Sequence, residues 1–299
     1  MVKIATLNIN GINDVTKQMK LVKYLYEKSI NIIMIQEHNI KSIAKIEYLM
    51  KYYNAILNQS ILLKGGTLIL IDKRLPAKVC RSYLHPSSRI TTAVINIMGT
   101  ELYLVNMYAP SGKKKQVERE QLFETELIYQ LTTNTDNMLM GGDWNSVLVS
   151  KDTSKPASAC YSKALKHIIT SFKYKDIFSV NKRKPEYTYY QKNYAARLDR
   201  IYVNKLISSI QDTVTYPASL SDHLCVSVTL DLAPQIQVAR PRWRLNVSLL
   251  NDNCRKENFL RIWSYLQDKI EMFPNIIQWW EEMAKPQIRK FYINQGIEK

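Results

Sequence analysis

No run of 18 or more apolar residues occurs in the 299-residue chain, which argues against a membrane-spanning helix. The opening Met1–Leu7 stretch also lacks the long apolar core of a secretory signal peptide. Cysteine is sparse: Cys80, Cys160, Cys225 and Cys254 are scattered and make no C-x-x-C pair. That spacing excludes a zinc knuckle and a dense disulfide framework, and a reducing compartment is the default. No internal repeat and no low-complexity tract is present. Negative charge is short as well, with 26 Asp+Glu against 42 Lys+Arg and a formal net charge of +16. An excess of that size favours a polyanionic partner, nucleic acid before anionic membrane. Apolar residues are not lacking. At 46% they suffice for a substantial core, and the length suits one large α/β domain with an appendage.

Within residues 1–232, apolar strand-like runs alternate with helical patterns. Residues 2–9 read as a strand, 15–30 as a helix and 31–38 as a second strand, a βαβ-like opening. A helix is expected over 41–53 and a buried strand over 65–71. A hairpin is expected around Met98-Gly99-Thr100, and further helices over 116–133 and 161–172. The basic, tyrosine-rich stretch 182–196 leads into a strand at 197–203, and a last strand covers 224–232. This alternation predicts a four-layered α/β sandwich, two mixed β-sheets flanked by helices. The texture changes near Ala233. Pro234 and Pro241 bracket a linker-like piece, and two helices are expected around 254–272 and 275–293. Residues 233–299 therefore read as a linker and basic helical extension.

Chemistry concentrates where apolar strands end. The stretch Met138–Val149 breaks at Gly141-Gly142 and then presents Asp143 and Asn145. The glycines are expected to serve a tight turn and close backbone approach. Asn8 and Asn10, Glu37, Tyr108, Asp199, and Asp222 with His223 occupy the ends of other strands. In an α/β sheet such ends converge on one edge. Glu37 is a hard oxygen ligand suited to Mg²⁺. Crowded carboxylates need a cation or protons to offset their repulsion. His223 with Asp199 as orienter can present an N–H to a phosphate, Asp143 can act as a base on water, and Asn145 can position the phosphate without adding charge. Singly these signals are weak; jointly, and in this order, they are strong.

The segments Leu7-Asn8-Ile-Asn10-Gly11, Ile35-Gln36-Glu37, Gly65-Gly66, Asn106-Met-Tyr108-Ala-Pro110, Gly142-Asp143-Trp-Asn145, Arg197-Leu-Asp199 and Ser221-Asp222-His223 together resemble the endonuclease/exonuclease/phosphatase superfamily. The resemblance covers residues 1–232 and implies Mg²⁺-dependent phosphodiester hydrolysis, with Mn²⁺ as a substitute. It implies that Glu37, with Asn8 and Asn10, holds the metal. Tyr108, Asn145 and His223 would contact the scissile phosphate. Asp143 would activate water, Asp199 would orient His223, and Asp222 would sit near the metal or the phosphate. Within the superfamily the chain is most similar to the apurinic/apyrimidinic-type endonuclease domain of LINE (non-LTR) retrotransposons. Asn10 stands where repair endonucleases usually carry Asp. Ala196 stands where abasic-site enzymes tend to place a large aromatic. Trp243-Arg-Leu-Asn246, Leu249–Asp252 and Trp279-Trp280 resemble the segment that joins endonuclease to reverse transcriptase. The resemblance implies double-stranded DNA as partner, with element RNA and a following reverse transcriptase as further ones, and action in the nucleus after cytoplasmic synthesis. No polymerase motif appears in the chain.

Lys113 and Lys114, and Lys192, Tyr194 and Arg197 on or beside the expected hairpin at 184–196, are candidate DNA contacts; edge-strand packing is the alternative for the tyrosines. Competing functions are an abasic-site repair endonuclease, a small-molecule phosphoesterase and a catalytically dead binding module. Ala196 and the extension argue against the first, the basic charge against the second, and the intact Glu37, Asp143 and His223 against the third.

Overall fold

The computed structural model describes residues 1–61, 65–133, 137–155, 160–204, 206, 209–232 and 247–297. The chain divides into two compact units, Met1–Gln235 and Ile236–Lys299.

Among the described residues the first unit holds fourteen strands: β1 (Val2–Asn8), β2 (Ile32–Gln36), β3 (Tyr53–Asn58), β4 (Thr67–Asp72), β5 (Ala77–Leu84), β6 (Ile90–Ile97), β7 (Thr100–Tyr108), β8 (Met138–Asp143), β9 (Lys175–Asp176), β10 (Tyr189–Gln191), β11 (Tyr194–Ala196), β12 (Asp199–Val203), β13 (Ile210–Tyr216) and β14 (Cys225–Leu230). One six-stranded sheet runs β13-β14-β1-β2-β4-β3, the other β5-β6-β7-β8-β12-β9, and β10-β11 form a small ribbon. β1–β2 and β7–β8 are the parallel pairs; the other pairings are antiparallel.

The sheets pack face to face through Ile4, Ile32, Met34 and Ile69 from one and Ile95, Leu104, Leu139 and Ile201 from the other. The outer face of the first sheet, with Leu7, Ile33 and Ile35, is covered by Leu21 and Leu25 of the helix Val15–Glu27. Helices over 116–133 and 163–171 cover the second sheet's outer face through Phe123, Leu127, Leu165 and Ile168. The result is the expected four-layered sandwich. Strands buried on both faces show continuous apolar runs, which is why β1, β2, β4 and β8 stand out in the sequence.

The hairpin also forms as expected. Ile97 pairs with Thr100 across Met98-Gly99, both at positive φ, as a two-residue primed turn requires. The helix expected over 41–53 is cut down to a 3₁₀ turn at Ile43–Ile46 and one α-turn at Glu47–Met50, because the chain then leaves as β3. The glycines before Asp143 do not make a turn. Gly141 and Gly142 lie inside β8, and neither has positive φ. They are needed for approach: a Cβ on Gly142 would meet the Met107 carbonyl oxygen at 1.9 Å, and one on Gly141 would meet Met34 Cε at 2.2 Å.

In the second unit, helix Asn253–Gln267 starts at the Asp252 side chain, which accepts from the Arg255 N–H. A second helical run from Ile276 to Ile297 packs Trp279 and Ala284 against Leu266. The Trp279 indole N–H donates to the Leu266 carbonyl at 3.0 Å. The linker-like piece with Pro234 and Pro241, and the Trp243–Asn246 motif, lie outside the described residues.

Candidate active site

The topology gathers the reactive groups at one edge. The C-terminal ends of the parallel strands β1, β2, β7 and β8 lead to Asn8, Glu37, Tyr108 and Asp143. The antiparallel strands β12 and β14 begin at that edge and supply Asp199 and, just before β14, His223. In register, Asp199 stands opposite Asp143, and Asp143 beside Tyr108. A cleft of about 340 Å³ opens over this edge, lined among others by Asn8, Asn10, Glu37, Asp143, Asn145, Asp222 and His223.

Two linked clusters form its floor. In the first, Asn8 Nδ2 donates to Glu37 Oε1 at 3.1 Å and to Asp143 Oδ2 at 3.0 Å. The Tyr108 hydroxyl donates to Glu37 Oε1 at 2.7 Å. Burial, then the Glu37 charge, raises the Tyr108 pKa, so the phenol stays a donor. Asn145 holds Asp143 from the other side: its backbone N–H donates to Asp143 Oδ1 at 2.9 Å, and its amide donates to Asp143 Oδ2 and the Ala109 carbonyl. In the second cluster, His223 Nδ1–H donates to Asp199 Oδ2 at 2.8 Å. Burial alone would lower the imidazole pKa. The charge and hydrogen bond of Asp199, then Asp143 and Asp222, outweigh it and raise the pKa to about 10. Asp143 is pushed up to about 7, first by burial and then by repulsion from Asp199, against opposing help from His223, Asn8 and Asn145.

Backbone geometry marks the same residues. Asn10, Glu37 and Asn145 all have positive φ, at 47°, 51° and 44°. Asparagine tolerates that region; for Glu37 it is a strained conformation held by its surroundings.

The expected site residues divide into those brought together and those set apart. Asn8, Glu37, Tyr108, Asp143, Asn145, Asp199 and His223 form the connected floor. Asn10 and the exposed Asp222 line the cleft. Both amide protons of Asn145 are engaged, so a phosphate contact would require it to exchange one. Tyr108 reaches the cleft only through Glu37. Lys113 and Lys114 are exposed on a 3₁₀ turn after Gly112, and Lys192 is exposed in the turn of the β10–β11 ribbon. Tyr194 lines the cleft. Arg197 departs from its expected place as a DNA contact: it is buried, with its guanidinium on Asp176 and near Asp152 and over the Phe178 ring. A buried, doubly engaged cation braces β12 and is not available to a phosphate.

Several supporting residues were not singled out from sequence. Thr188 Oγ1 accepts the N–H groups of both Leu198 and Asp199 at 3.0 Å. The Tyr189 ring lies 4.8 Å from the His223 ring, and the two residues form a β-bridge. The Ser221 hydroxyl donates to the Asn8 carbonyl and accepts from the His223 N–H. A threonine or tyrosine acting through its neighbour carries no local pattern; only Ser221, inside the Ser-Asp-His run, had a sequence signal. Trp144, between Asp143 and Asn145, is a packing residue: it is fully buried against Phe123 and Tyr202, and its indole N–H donates to the Arg200 carbonyl.

The donor set fits a divalent cation. Asn8 and Tyr108 both bond Glu37 Oε1, which leaves Oε2 for another partner. Asp199 Oδ1 is buried without a hydrogen-bond partner. Among the described residues, ligand atoms of Asp143, Asp199 and His223 lie within 4.8 Å of one another. A protonated His223 committed to Asp199 is a poor ligand, however, because metals bind the neutral imidazole. Oxygen donors around Glu37 suit a hard ion better.

The chain belongs to the endonuclease/exonuclease/phosphatase family, whose sequence profile matches residues 5–223. Two kinds of relative surround it. The Transposon TX1 uncharacterized 149 kDa protein of Xenopus laevis is 25% identical over 289 residues, which cover 93% of this chain and 22% of that protein. The chain thus spans about a fifth of the length of that curated relative. Among solved structures, an AP endonuclease from Archaeoglobus fulgidus is similar at 18% identity and a TM-score of 0.62, covering 78% of this chain and 100% of that one. A 3′ phosphatase from Neisseria bound to product DNA hairpin gives 18% and 0.64, covering 77% and 100%. The AP endonuclease LMAP from Leishmania major gives 17% and 0.65, covering 78% and 88%. At these identities the structural likeness is one of fold.

Proposed function

We propose that this protein is a Mg²⁺-dependent endonuclease that nicks one strand of double-stranded DNA and leaves a 3′-hydroxyl. The observation that carries the reading is the register pair Asp143–Asp199: it sets a buried carboxylate next to an imidazole–carboxylate pair at the edge that also holds Glu37. Glu37 and Asn8, with Asn10 at the rim, would hold the cation; Mn²⁺ would substitute. When bound, the cation supplies charge neutralisation at the phosphate.

The chain's own residues supply the rest. Asp143, fixed by Asn8 and Asn145, takes a proton from water that attacks phosphorus. Burial and the charge of Asp199 raise its pKa above the usual carboxylate range, which makes it a stronger base for that step. His223, kept protonated by Asp199, offers Nε2–H to a non-bridging phosphate oxygen, with Tyr189 fixing the ring face. The P–O3′ bond breaks, giving a 5′-phosphate and a 3′-hydroxyl, and the departing oxygen takes its proton from solvent. Lys113, Lys114 and Lys192 contribute sequence-independent affinity for the DNA backbone, and Tyr194 a contact at the cleft wall.

A role in priming reverse transcription rests on the similarity to the TX1 transposon protein. In this reading residues 233–299 lead toward a reverse transcriptase, element RNA is a further partner, and the protein acts in the nucleus. Repair of abasic sites is the second reading, favoured by the fold shared with AP endonucleases. Against it, Ala196 is fully buried and packs with Val147 and Leu198, so this position puts no aromatic wall into the cleft. Incubation with supercoiled plasmid and with an abasic-site duplex separates the two. Plasmid nicks that a DNA polymerase can extend directly support the proposal; cleavage confined to the abasic duplex supports repair.

A further inference from the structure

The first sheet carries a second feature, at the end away from Glu37. Asp72 ends β4 and Tyr53 begins β3, and they pair with each other. On β2 this is the end near Ile32, which pairs with Ile71. The five residues of β2 alone separate it from Glu37 by roughly 16 Å. Here the helix Val15–Glu27 and the segment 48–53 border an open groove of about 730 Å³.

The groove is built from tyrosines and cations. Tyr26 and Tyr52 are 66% and 47% exposed. Tyr48 and Tyr52 sit ring against ring at 5.6 Å, with the Lys51 ammonium 5.7 Å from the Tyr48 ring. The Arg74 guanidinium lies over Tyr26 at 5.1 Å. Lys20 and Lys23 project from the helix face that also carries Met19 and Tyr26, turned away from the buried Leu21 and Leu25. Among the described residues Asp72 is the only carboxylate lining the groove, and Arg74 already occupies it at 2.6 Å. Exposed tyrosines are set among these cations: Lys20 and Lys51 have no ion-pair partner among the described residues, and Lys23 has only the exposed Glu27 at 3.8 Å, a pair that solvent and salt screen. They match a flexible polyanion whose bases stack on rings while its phosphates meet ammonium groups. A duplex keeps its bases stacked on each other and cannot offer them to Tyr26 and Tyr52.

We propose that this groove binds single-stranded nucleic acid, independently of the cleft at the opposite end of the sheet. The site selects for unpaired bases through Tyr26, Tyr48 and Tyr52, and for phosphate through Lys20, Lys23 and Lys51. RNA and single-stranded DNA share this chemistry, and nothing in the groove's ring and ammonium groups requires a 2′-hydroxyl.

The test uses the full chain, in chelator so that no cleavage can occur, with fluorescein-labelled 12-mers of oligouridine and oligothymidine read by anisotropy. The expected result is salt-dependent binding of at least one oligomer that weakens about tenfold or more in Tyr26→Ala/Tyr52→Ala and in Lys20→Glu/Lys23→Glu. Thermal midpoints report whether the variants stay folded, and the exposed positions make that the expectation. A loss seen with oligouridine alone assigns the groove to RNA, and a loss with oligothymidine alone assigns it to DNA. Photo-crosslinking of a 4-thiouridine oligomer should mark the helix 15–27 or the segment 48–53. Unchanged affinity in both variants, no binding by the wild type, or crosslinks confined to the cleft would overturn the proposal. Because no divalent ion is present, failure here leaves the nuclease reading untouched, and failure of nicking leaves this one untouched.

Discussion

The two ends of the first sheet carry opposite chemistries in a protein that is basic overall. At one end, where it meets the matching edge of the second sheet, the buried Asp143 and Asp199 and the exposed Asp222 lie around the His223 imidazole with Glu37 nearby, and hydrogen bonds link Asp199 to His223 and, through Asn8, Asp143 to Glu37. At the other, lysines and tyrosines stand largely exposed, joined by ring contacts and surface ion pairs such as Arg74–Asp72 and Lys23–Glu27. The difference separates attraction from reaction. In the proposed reaction the acidic edge would repel a phosphate diester by itself, so it would depend on a cation and on positive charge placed elsewhere. The buried groups are fixed by hydrogen bonds, whereas the exposed rings and ammonium groups would suit a ligand without fixed sequence.

That contrast can be broken at several points. Removing divalent cations should have the largest effect: nicking should fall to background in chelator and return with Mg²⁺, while circular dichroism stays unchanged. Restoration by monovalent salt alone would mean that the acidic edge needs no specific ion. Next comes Gly142→Ala, whose new methyl would collide with the Met107 carbonyl. Chemical denaturation should show a loss of about 3 kcal/mol, because backbone cannot step aside as a side chain can. Gly112→Ala is the control, with nothing within 4 Å of its Cβ and only its positive φ to lose, about 1 kcal/mol.

Comparable in size but confined to acid is the effect of His38. Its Nδ1 accepts from the Ile40 N–H and its Nε2–H donates to the Asn58 carbonyl, so the neutral ring is fully used. Burial lowers its pKa to about 4, against opposing backbone hydrogen bonds. A histidine with a depressed folded pKa contributes stability above its unfolded pKa near 6.5 and loses it as pH falls toward 4. The stability lost over that window should be about 3 kcal/mol, and His38→Gln should flatten the curve there. Smallest is Thr188→Val. It leaves the N–H groups of Leu198 and Asp199 without their acceptor. We expect kcat to fall about tenfold with KM little changed, since Thr188 acts on the orientation of Asp199 and not on DNA. A change in KM alone would place Thr188 in binding.

Much of the reactive edge was legible because it is made of strand ends, and strand ends leave a mark: an apolar run stops and a polar residue follows. Asp143, Glu37 and His223 were read that way, and the two-residue hairpin at Met98-Gly99 through its turn chemistry. What was not legible shares a cause. β3, β5 and β13 escaped notice because edge strands with polar outer faces lack the continuous apolar run. The glycines before Asp143 were read as serving both a turn and close backbone approach; the strands packed across and beside them require the approach, and no turn forms there. Arg197 looked like a free cation because its acidic partners, Asp152 and Asp176, lie 45 and 21 residues away. Tyr189 and Thr188 support His223 and Asp199 through space, and no spacing rule announces them. The groove at the far end was invisible for the same reason: its tyrosines and lysines belong to three separate segments.

In the proposed mechanism Asp143, held between Asn8, Asn145 and the Asp199–His223 pair, is the base that activates water. Single-turnover nicking of supercoiled plasmid at saturating Mg²⁺, comparing wild type with Asp143→Asn, tests it most directly. The substitution keeps the shape and removes the proton acceptor. We expect a drop in rate of roughly 10²–10⁴-fold, with plasmid affinity within a few-fold of wild type. A variant that nicks within a few-fold of the wild-type rate would contradict it.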